Sequence, residues 1–325
     1  MKVCIYGAGA IGGWIGVKLA KAGCDVSVVA RGATLEALQR DGLVLMQGET
    51  QTSVPVKASE NPADLGVQDL IVVAVKAPAL AAVAERIAPL IGPDTMVMTA
   101  MNGVPWWFLS GGFGGAHAGK RLAAVDPEGA IAAAIPDQHV IGCVVHASCA
   151  LAGPGKVRLH FGNGLIVGEP SGQATPRVQA LHALLLQAGF DAKLSAQIQK
   201  DVWYKLWGNM TVNPISAMTG CTTDVILNDD LARGFISTVM LEARDIGERI
   251  GVPIAEMPED RHAVTRKLGA FKTSMLQDVE AGRAVELDAL VTSVRELGQL
   301  TGVKTPFTDA LLGLARLQAR QRGLY

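Results

Sequence analysis

An excess of charge of either sign is missing from this chain. Its 29 Lys and Arg stand against 30 Asp and Glu, for a net charge of −1, and no basic run is long enough to hold a phosphate backbone, which excludes nucleic acid or an anionic membrane as the main partner. Long apolar runs are lacking too. The longest, such as Leu70 to Val75, fall far short of the roughly 20 residues that a spanning helix needs. The first residues enter a strand-like segment with no cleavable apolar region, so the sequence reads as a cytoplasmic protein without a membrane partner. Cysteine is sparse: Cys4, Cys24, Cys143, Cys149 and Cys221 show neither CxxC nor Cys/His ligand spacing. That excludes a disulfide framework or a zinc site, no metal is expected, and buried free thiols remain.

What is present is apolar bulk. With 49% hydrophobic and 18% charged residues over 325 positions, the chain can build two domains with separate cores. It opens on Val3, Cys4, Ile5, Tyr6, followed at once by Gly7, Gly9 and Gly12, which reads as strand, tight turn, helix. Gly7 allows the turn, Gly9 admits backbone amides to a pyrophosphate, and Gly12 lets the helix approach the strand. The anion then meets the unpaired amides and positive dipole end of the helix. The context supports the motif: the helical pattern Ile11, Ile15, Leu19, a stop at Gly23, and a second strand from Asp25 to Ala30. A glycine-rich turn that binds nothing is the alternative.

The second strand ends at Arg31, where an NAD site would place an acidic residue on the ribose hydroxyl. Arginine there can pair with a 2′-phosphate, which favours NADPH, although a surface arginine ahead of the helix Leu35 to Arg40 has the same appearance. The alternation resumes with a strand at Asp69 to Val75, a helix at Pro78 to Ile91 closed by Gly92, and a strand at Thr95 to Met101. Lys76 and Asn102 thus fall at the carboxyl ends of parallel strands, where open α/β sheets bind ligands; a capping lysine and a turn asparagine are the competing readings. The glycine-rich segment Trp106 to Lys120 reads as a surface excursion, Asp126 and Pro127 as the start of a short helix. His139 to Glu169 reads as antiparallel strands finishing the sheet, and a helix from Thr175 leads to a last strand, Phe190 to Leu194.

From about Ala196 the punctuation is helical: Asp229 to Ile250 before Gly251, Pro258 to Leu268, Glu286 to Leu300 before Gly302, and a last helix opened by Thr305 and Pro306. The expected architecture is α/β: an N-terminal Rossmann-type dinucleotide-binding domain over residues 1–196, then an all-helical C-terminal domain over residues 197–325, with a cleft between them. In that second domain Lys205, Asn209 and Asn213 recur every four residues among tryptophan and aliphatic neighbours, so one helix face carries a cation and two amides. This face is either a ligand site or an exposed polar stripe.

Together these pieces resemble the ketopantoate reductase family, the NADPH-dependent 2-dehydropantoate 2-reductases, over essentially the whole chain. The carriers are GAGAIG (Gly7, Ala8, Gly9, Ala10, Ile11, Gly12), Arg31, VAVKA around Lys76, MNG around Asn102, KLWGNMTVNP from Lys205, and TSMLQDVEAGRAVELD, which holds Ser274 and Glu286. The resemblance implies reduction of a 2-oxo acid to a 2-hydroxy acid, ketopantoate to pantoate, with Lys205 as general acid. It places Glu286 beside the lysine or the nicotinamide, where a carboxylate would favour the charged ammonium. Asn102, Asn209, Asn213 and Ser274 would hold the substrate. The glycine loop, Arg31, Lys76, Asn102, the backbone near Ala150 and Glu286 would line NADPH. The implied partner is a small-molecule 2-oxo acid, with room for a homodimer.

Two positions depart from the family pattern: Thr223, eighteen residues after Lys205, and Phe271, three before Ser274, stand where relatives carry substrate-contacting asparagines. The specificity pocket is therefore expected to differ more than the machinery. A β-hydroxyacid dehydrogenase on the same scaffold is one alternative, and an NADPH sensor without turnover is another.

Overall fold

β-branched runs between glycine-marked turns build one part of the chain, and nearly uninterrupted helix builds the other. The computed structural model describes all 325 residues, and its contacts group into two units, Met1–Met101 with Gly129–Ile198, and Asn102–Glu128 with Gln199–Tyr325. Residues 102–128, which the sequence reading counts with the first domain, group with the second unit.

The first unit runs β1 (Lys2–Tyr6), α1 (Ala10–Lys21), β2 (Asp25–Val29), α2 (Gly32–Asp41), β3 (Leu43–Gln47), β4 (Thr50–Val54), β5 (Lys57–Ser59), β6 (Leu70–Val73), α3 (Leu80–Ala84), β7 (Met96–Thr99), α4 (Ala130–Ala134), β8 (Val140–Gly153), β9 (Lys156–Gly168), α5 (Pro176–Gln187) and β10 (Asp191–Leu194). Its central strands lie in the order β5, β2, β1, β6, β7, β8, all parallel. This is the doubly wound arrangement, whose order reverses between β1 and β6.

The α1 helix is clamped by its glycines. A Cβ at Gly13 would lie 2.6 Å from Val157 of β9, and one at Gly16 would lie 2.8 Å from Leu43 of β3 and 3.0 Å from Ile5 of β1. Trp14, fully buried, meets Phe190 edge to face at 5.0 Å.

Several expectations fail here for local reasons. Residues 41–68, given no element from sequence, carry the β3–β4 hairpin and β5. The helix expected over 78–91 is a short α3 between 3-10 turns at Ala77–Ala79 and Ala88–Leu90; Pro89 has no N–H to give and its ring excludes the carbonyl four residues back. The helix expected at Asp126 begins instead at Ala130, after Gly129. The strands after residue 139 do not simply finish the sheet. β8 is parallel to β7 and antiparallel to β9, and β9 then pairs in parallel with both β3 and β10. None of the five cysteines forms a disulfide; Cys4 and Cys143 are buried, the other three only half-buried. Burial pushes the Cys4 thiol up to about 12.

The second unit holds α6 (Ile198–Thr219), α7 (Thr223–Asn228), α8 (Asp230–Ile250), α9 (Pro258–Arg266), α10 (Ser274–Glu280), a π-helical turn at Asp288–Thr292 running into α11 (Ser293–Thr301), and α12 (Pro306–Gln321). No helix of the chain is long and apolar enough to cross a membrane. Trp106 to Lys120 is not a surface excursion. Trp106, Trp107, Phe108, Leu109 and Phe113 are all buried, and Phe108 lies 5.4 Å from Phe113 and 5.9 Å from Trp203 of α6. The glycines turn the chain so that this aromatic run faces inward. The Glu296 carboxylate then ties the chain just beyond this segment to α11 by accepting from the backbone amides of Ala123 and Ala124 at 2.7 and 2.8 Å.

A second carboxylate joins α8 to α12. Glu242, buried, accepts from the Phe307 and Thr308 amides at 2.9 and 2.8 Å and from the Thr308 hydroxyl at 2.7 Å. It supplies the acceptors that a helix N-terminus lacks. Glu242→Ala leaves those donors buried without partners and should lower unfolding stability by about 2–4 kcal/mol. Urea unfolding measures this; an unchanged midpoint and slope would show that water replaces the carboxylate without loss.

Candidate active site

In the first unit the glycine loop sits at the reversal of strand order. Gly7 has φ +104°, and a Cβ there would lie 3.0 Å from the Ala74 carbonyl oxygen and 2.7 Å from Val75. The loop after β1 therefore rests on the residues that lead into Lys76. A Cβ at Gly12 would collide with the Gly7 carbonyl oxygen, so the turn closes only with glycine at that position. The N-cap of α1 is Gly9, which has no side chain to cap the helix, and no acidic residue occupies the first turn. The leading amides of α1, from Ala10 and Ile11 on, thus form an uncapped cradle with positive dipole character, which fits a pyrophosphate.

Arg31 is exposed in the N-cap position of α2, its backbone extended at φ −142° and ψ 163°. Burial raises the Tyr6 phenol at the end of β1, and the charges of Arg86 and Arg31 oppose it. Lys76, half-buried, is the N-cap of the Ala77–Ala79 turn beyond β6. Ala150 lies partly exposed in the outer part of β8, in register with Arg158 of β9.

In the second unit α6 is buried almost all round from Val202 to Ala217, with Lys205 and Asn209 half-buried and Asn213 buried. Lys205 Nζ donates to Asn102 Oδ1 at 2.7 Å. An ammonium has no acceptor, so Asn102 must present its oxygen to the lysine and turn its NH2 elsewhere. Further along α6, Asn213 Nδ2 reaches Ser274 Oγ at 3.5 Å, at the start of α10.

The position of Asn102 has its own cause. Gly103 has φ +86°, and a Cβ there would lie 2.6 Å from both the Cβ and the carbonyl oxygen of Ala289. The next amide, Val104, donates to that carbonyl at 2.8 Å. Ala289 can accept it because Ser293 sends its N–H one residue further back, to Asp288, in the π turn. The Ser293 hydroxyl also donates to the Ala289 carbonyl, at 2.9 Å. Glu286, buried, stands at the head of this turn, its carbonyl accepting from the Leu290 amide at 3.1 Å. A π turn at a site of this kind is a frequent functional feature.

The two departures, Thr223 and Phe271, are partners. The Thr223 amide donates to the Phe271 carbonyl at 3.0 Å and its hydroxyl to the Gly269 carbonyl at 2.8 Å. Thr223 is thereby buried and its hydroxyl occupied.

Both halves of the chain match family models. Residues 3–172 match the model described as ketopantoate reductase PanE/ApbA, and residues 197–319 match that of its C-terminal domain. A Mesorhizobium japonicum protein named 2-dehydropantoate 2-reductase is 46% identical, with both chains covered completely. Among solved structures, a Ralstonia solanacearum protein classed as a ketopantoate reductase is 55% identical with a TM-score of 0.96, covering 100% of this chain and 99% of that one. A 2-dehydropantoate 2-reductase from Methylococcus capsulatus is 27% identical with a TM-score of 0.84, covering 99% and 98%. The chain belongs to the ketopantoate reductase family of oxidoreductases.

Proposed function

We propose that this protein reduces a 2-oxo acid to the corresponding 2-hydroxy acid with NADPH, ketopantoate to pantoate first among the candidates, and that Lys205 is the proton donor. The Lys205–Asn102 hydrogen bond carries the reading. It fixes an ammonium among apolar and amide groups, where an alkoxide can be stabilised and protonated. The name of the Mesorhizobium relative, shared over the full length of the chain, supports the same reaction.

In this reading residues 1–196 form the NADP-binding domain and residues 197–325 the substrate and catalytic domain, with Asn102 contributed to the second. The α1 cradle holds the pyrophosphate, Arg31 the 2′-phosphate, and Lys76, Ala150, Asn102 and Glu286 line the rest of the dinucleotide. NADPH, when bound, supplies the hydride to C2 of the oxo acid. Lys205 Nζ then gives its proton to the oxygen on C2, while Asn102 Oδ1 holds Nζ in place and Glu286 favours the charged lysine. Asn209, whose amide makes no hydrogen bond within the protein, together with Asn213 and Ser274 binds the carboxylate and hydroxyl groups of the substrate. Because Thr223 is committed to the 269–271 backbone, the substrate's distal group meets a surface unlike that of relatives with asparagine there.

NADPH oxidation across a panel of 2-oxo acids that includes ketopantoate tests the reaction. Lys205→Ala should cost roughly 10²- to 10⁴-fold in kcat, the usual range for a positioned general acid, with NADPH affinity preserved. The wild-type rate should fall on the alkaline side as the ammonium is lost. A near-normal kcat with an unchanged alkaline limb in the variant would remove Lys205 from the mechanism.

Cofactor choice is tested separately. Charge-assisted bonds from Arg31 to the 2′-phosphate should favour NADPH over NADH by about 10- to 100-fold in affinity, and Arg31→Ala should erase most of that preference. Equal wild-type affinities for the two cofactors, read by titration, would refute the assignment.

A further inference from the structure

Beside the polar stripe of α6 lies a cation that neither the sequence reading nor the family resemblance uses. Arg261 projects from α9 and stacks over the Tyr204 ring, 5.4 Å from guanidinium carbon to ring centroid. It reaches the backbone of α6 where that helix has no side chain: a Cβ at Gly208 would lie 2.7 Å from Arg261 Nε and 2.9 Å from Nη2. No acidic side chain forms an ion pair with this guanidinium, and its buried Nε donates to nothing in the protein. Desolvation pushes its pKa below the ordinary arginine value, with only the Tyr204 hydroxyl opposing.

Arg261 is half-buried, with its Nε shielded and only the Tyr204 ring against it, and a guanidinium partly withdrawn from water is favoured by an anionic partner. Gly208 is three residues from Lys205 and adjacent to Asn209, and side chains three or four apart on a helix stand about 5–6 Å from one another. The guanidinium therefore packs against α6 on the flank of the stripe, at the position three residues from the proposed proton donor. Its planar fork matches a carboxylate in a way that no amide of the stripe can.

We propose that Arg261 is a specificity-determining residue that pairs with the carboxylate of the 2-oxo acid, with Gly208 as the gap through which it reaches the stripe. The substrate's identity rests on the function proposed above; the carboxylate site itself does not. Gly208 has a defined part in this arrangement, since any larger residue would displace the guanidinium.

The test uses the full-length protein, with and without NADPH, with which a 2-hydroxy acid cannot react, and Arg261→Met, which keeps the apolar stem over Tyr204 and removes the charge. The probe is a non-reducible branched 2-hydroxy acid, with its neutral methyl ester as control. In calorimetry the acid should bind wild type about 10- to 100-fold more tightly than the variant. The ester should bind both alike, and the NADPH dissociation constant should stay within about twofold, since the dinucleotide is held elsewhere. The thermal midpoint should change little, because the methionine keeps the packing over Tyr204 and no ion pair is lost. Arg261→Lys, a cation without the fork, should fall between the two, and for any 2-oxo acid turned over KM should rise more than kcat drops. Equal binding of the acid by wild type and Arg261→Met overturns the proposal, as does failure of wild type to bind it. A loss of NADPH affinity with acid binding intact overturns it in favour of a cofactor phosphate. A lowered midpoint with acid and ester weakened together overturns it in favour of a packing role. Arg261-dependent acid binding in a protein that reduces no 2-oxo acid would uphold the carboxylate site while refuting the reaction.

Discussion

The hydrogen bond from Lys205 to Asn102 is the contact on which the candidate site of the second unit depends. It spans 103 positions of sequence and closes at 2.7 Å, so both ends must be fixed by other structure. On one side α6 holds the lysine, because Val202, Trp203, Leu206, Trp207 and Met210 around it are buried and the helix cannot rotate without exposing them. On the other, the loop through Asn102 and Gly103 docks on Ala289, whose carbonyl the π turn has freed. A regular α-helix through Asp288–Thr292 would send the Ser293 amide to Ala289, in competition with the Val104 amide for that carbonyl.

The same segment explains why the second unit recruits residues 102–128. Once Asn102 to Val104 are docked, the chain continues through an aromatic run that needs burial, and Phe108 finds Trp203 on the helix that bears Lys205. Trp207, one turn further, donates its indole N–H to the Met240 carbonyl at 2.7 Å and couples α6 to α8. Two buried hydroxyls of α6 are satisfied locally: Thr211 Oγ1 donates to Gly208 O and Ser216 Oγ to Cys221 O. A helix so anchored can present lysine and asparagine on one stripe, with a bare glycine on its flank.

Legibility in the sequence followed the range of the interactions. The β1–α1–β2 unit was readable because Gly7, Gly9 and Gly12 answer to β1, to the turn itself or to the residues just beyond the adjoining β6, and the helix ends at Asp229, Gly251, Gly302 and Thr305 were readable because capping is local chemistry. The β3–β4 hairpin was missed although Leu43 to Met46, Gly48 and Thr50 to Val54 carry its turn and strand residues; its long-range pairing with β9 is invisible in one dimension. The segment Trp106 to Lys120 was misread because glycine abundance suggested surface, whereas its aromatics are buried by partners some 90 or more positions away. The stripe of Lys205, Asn209 and Asn213 was found by period alone, but its bond to Asn102 was not derivable from spacing. The π turn and Arg261 gave no signal, since a freed carbonyl and an unpaired guanidinium are properties of packing.

A double-mutant cycle in kcat on Asn102→Ala, Lys205→Ala and the combined variant measures the central pair directly, with a 2-oxo acid that the wild type reduces and NADPH as cofactor. If Asn102 acts by holding the Lys205 ammonium, its loss matters little once the lysine is gone, and the combined variant should be no slower than Lys205→Ala beyond about twofold. Losses that multiply across the two sites would contradict the account and show that the 2.7 Å bond does not join them into one proton-donating unit.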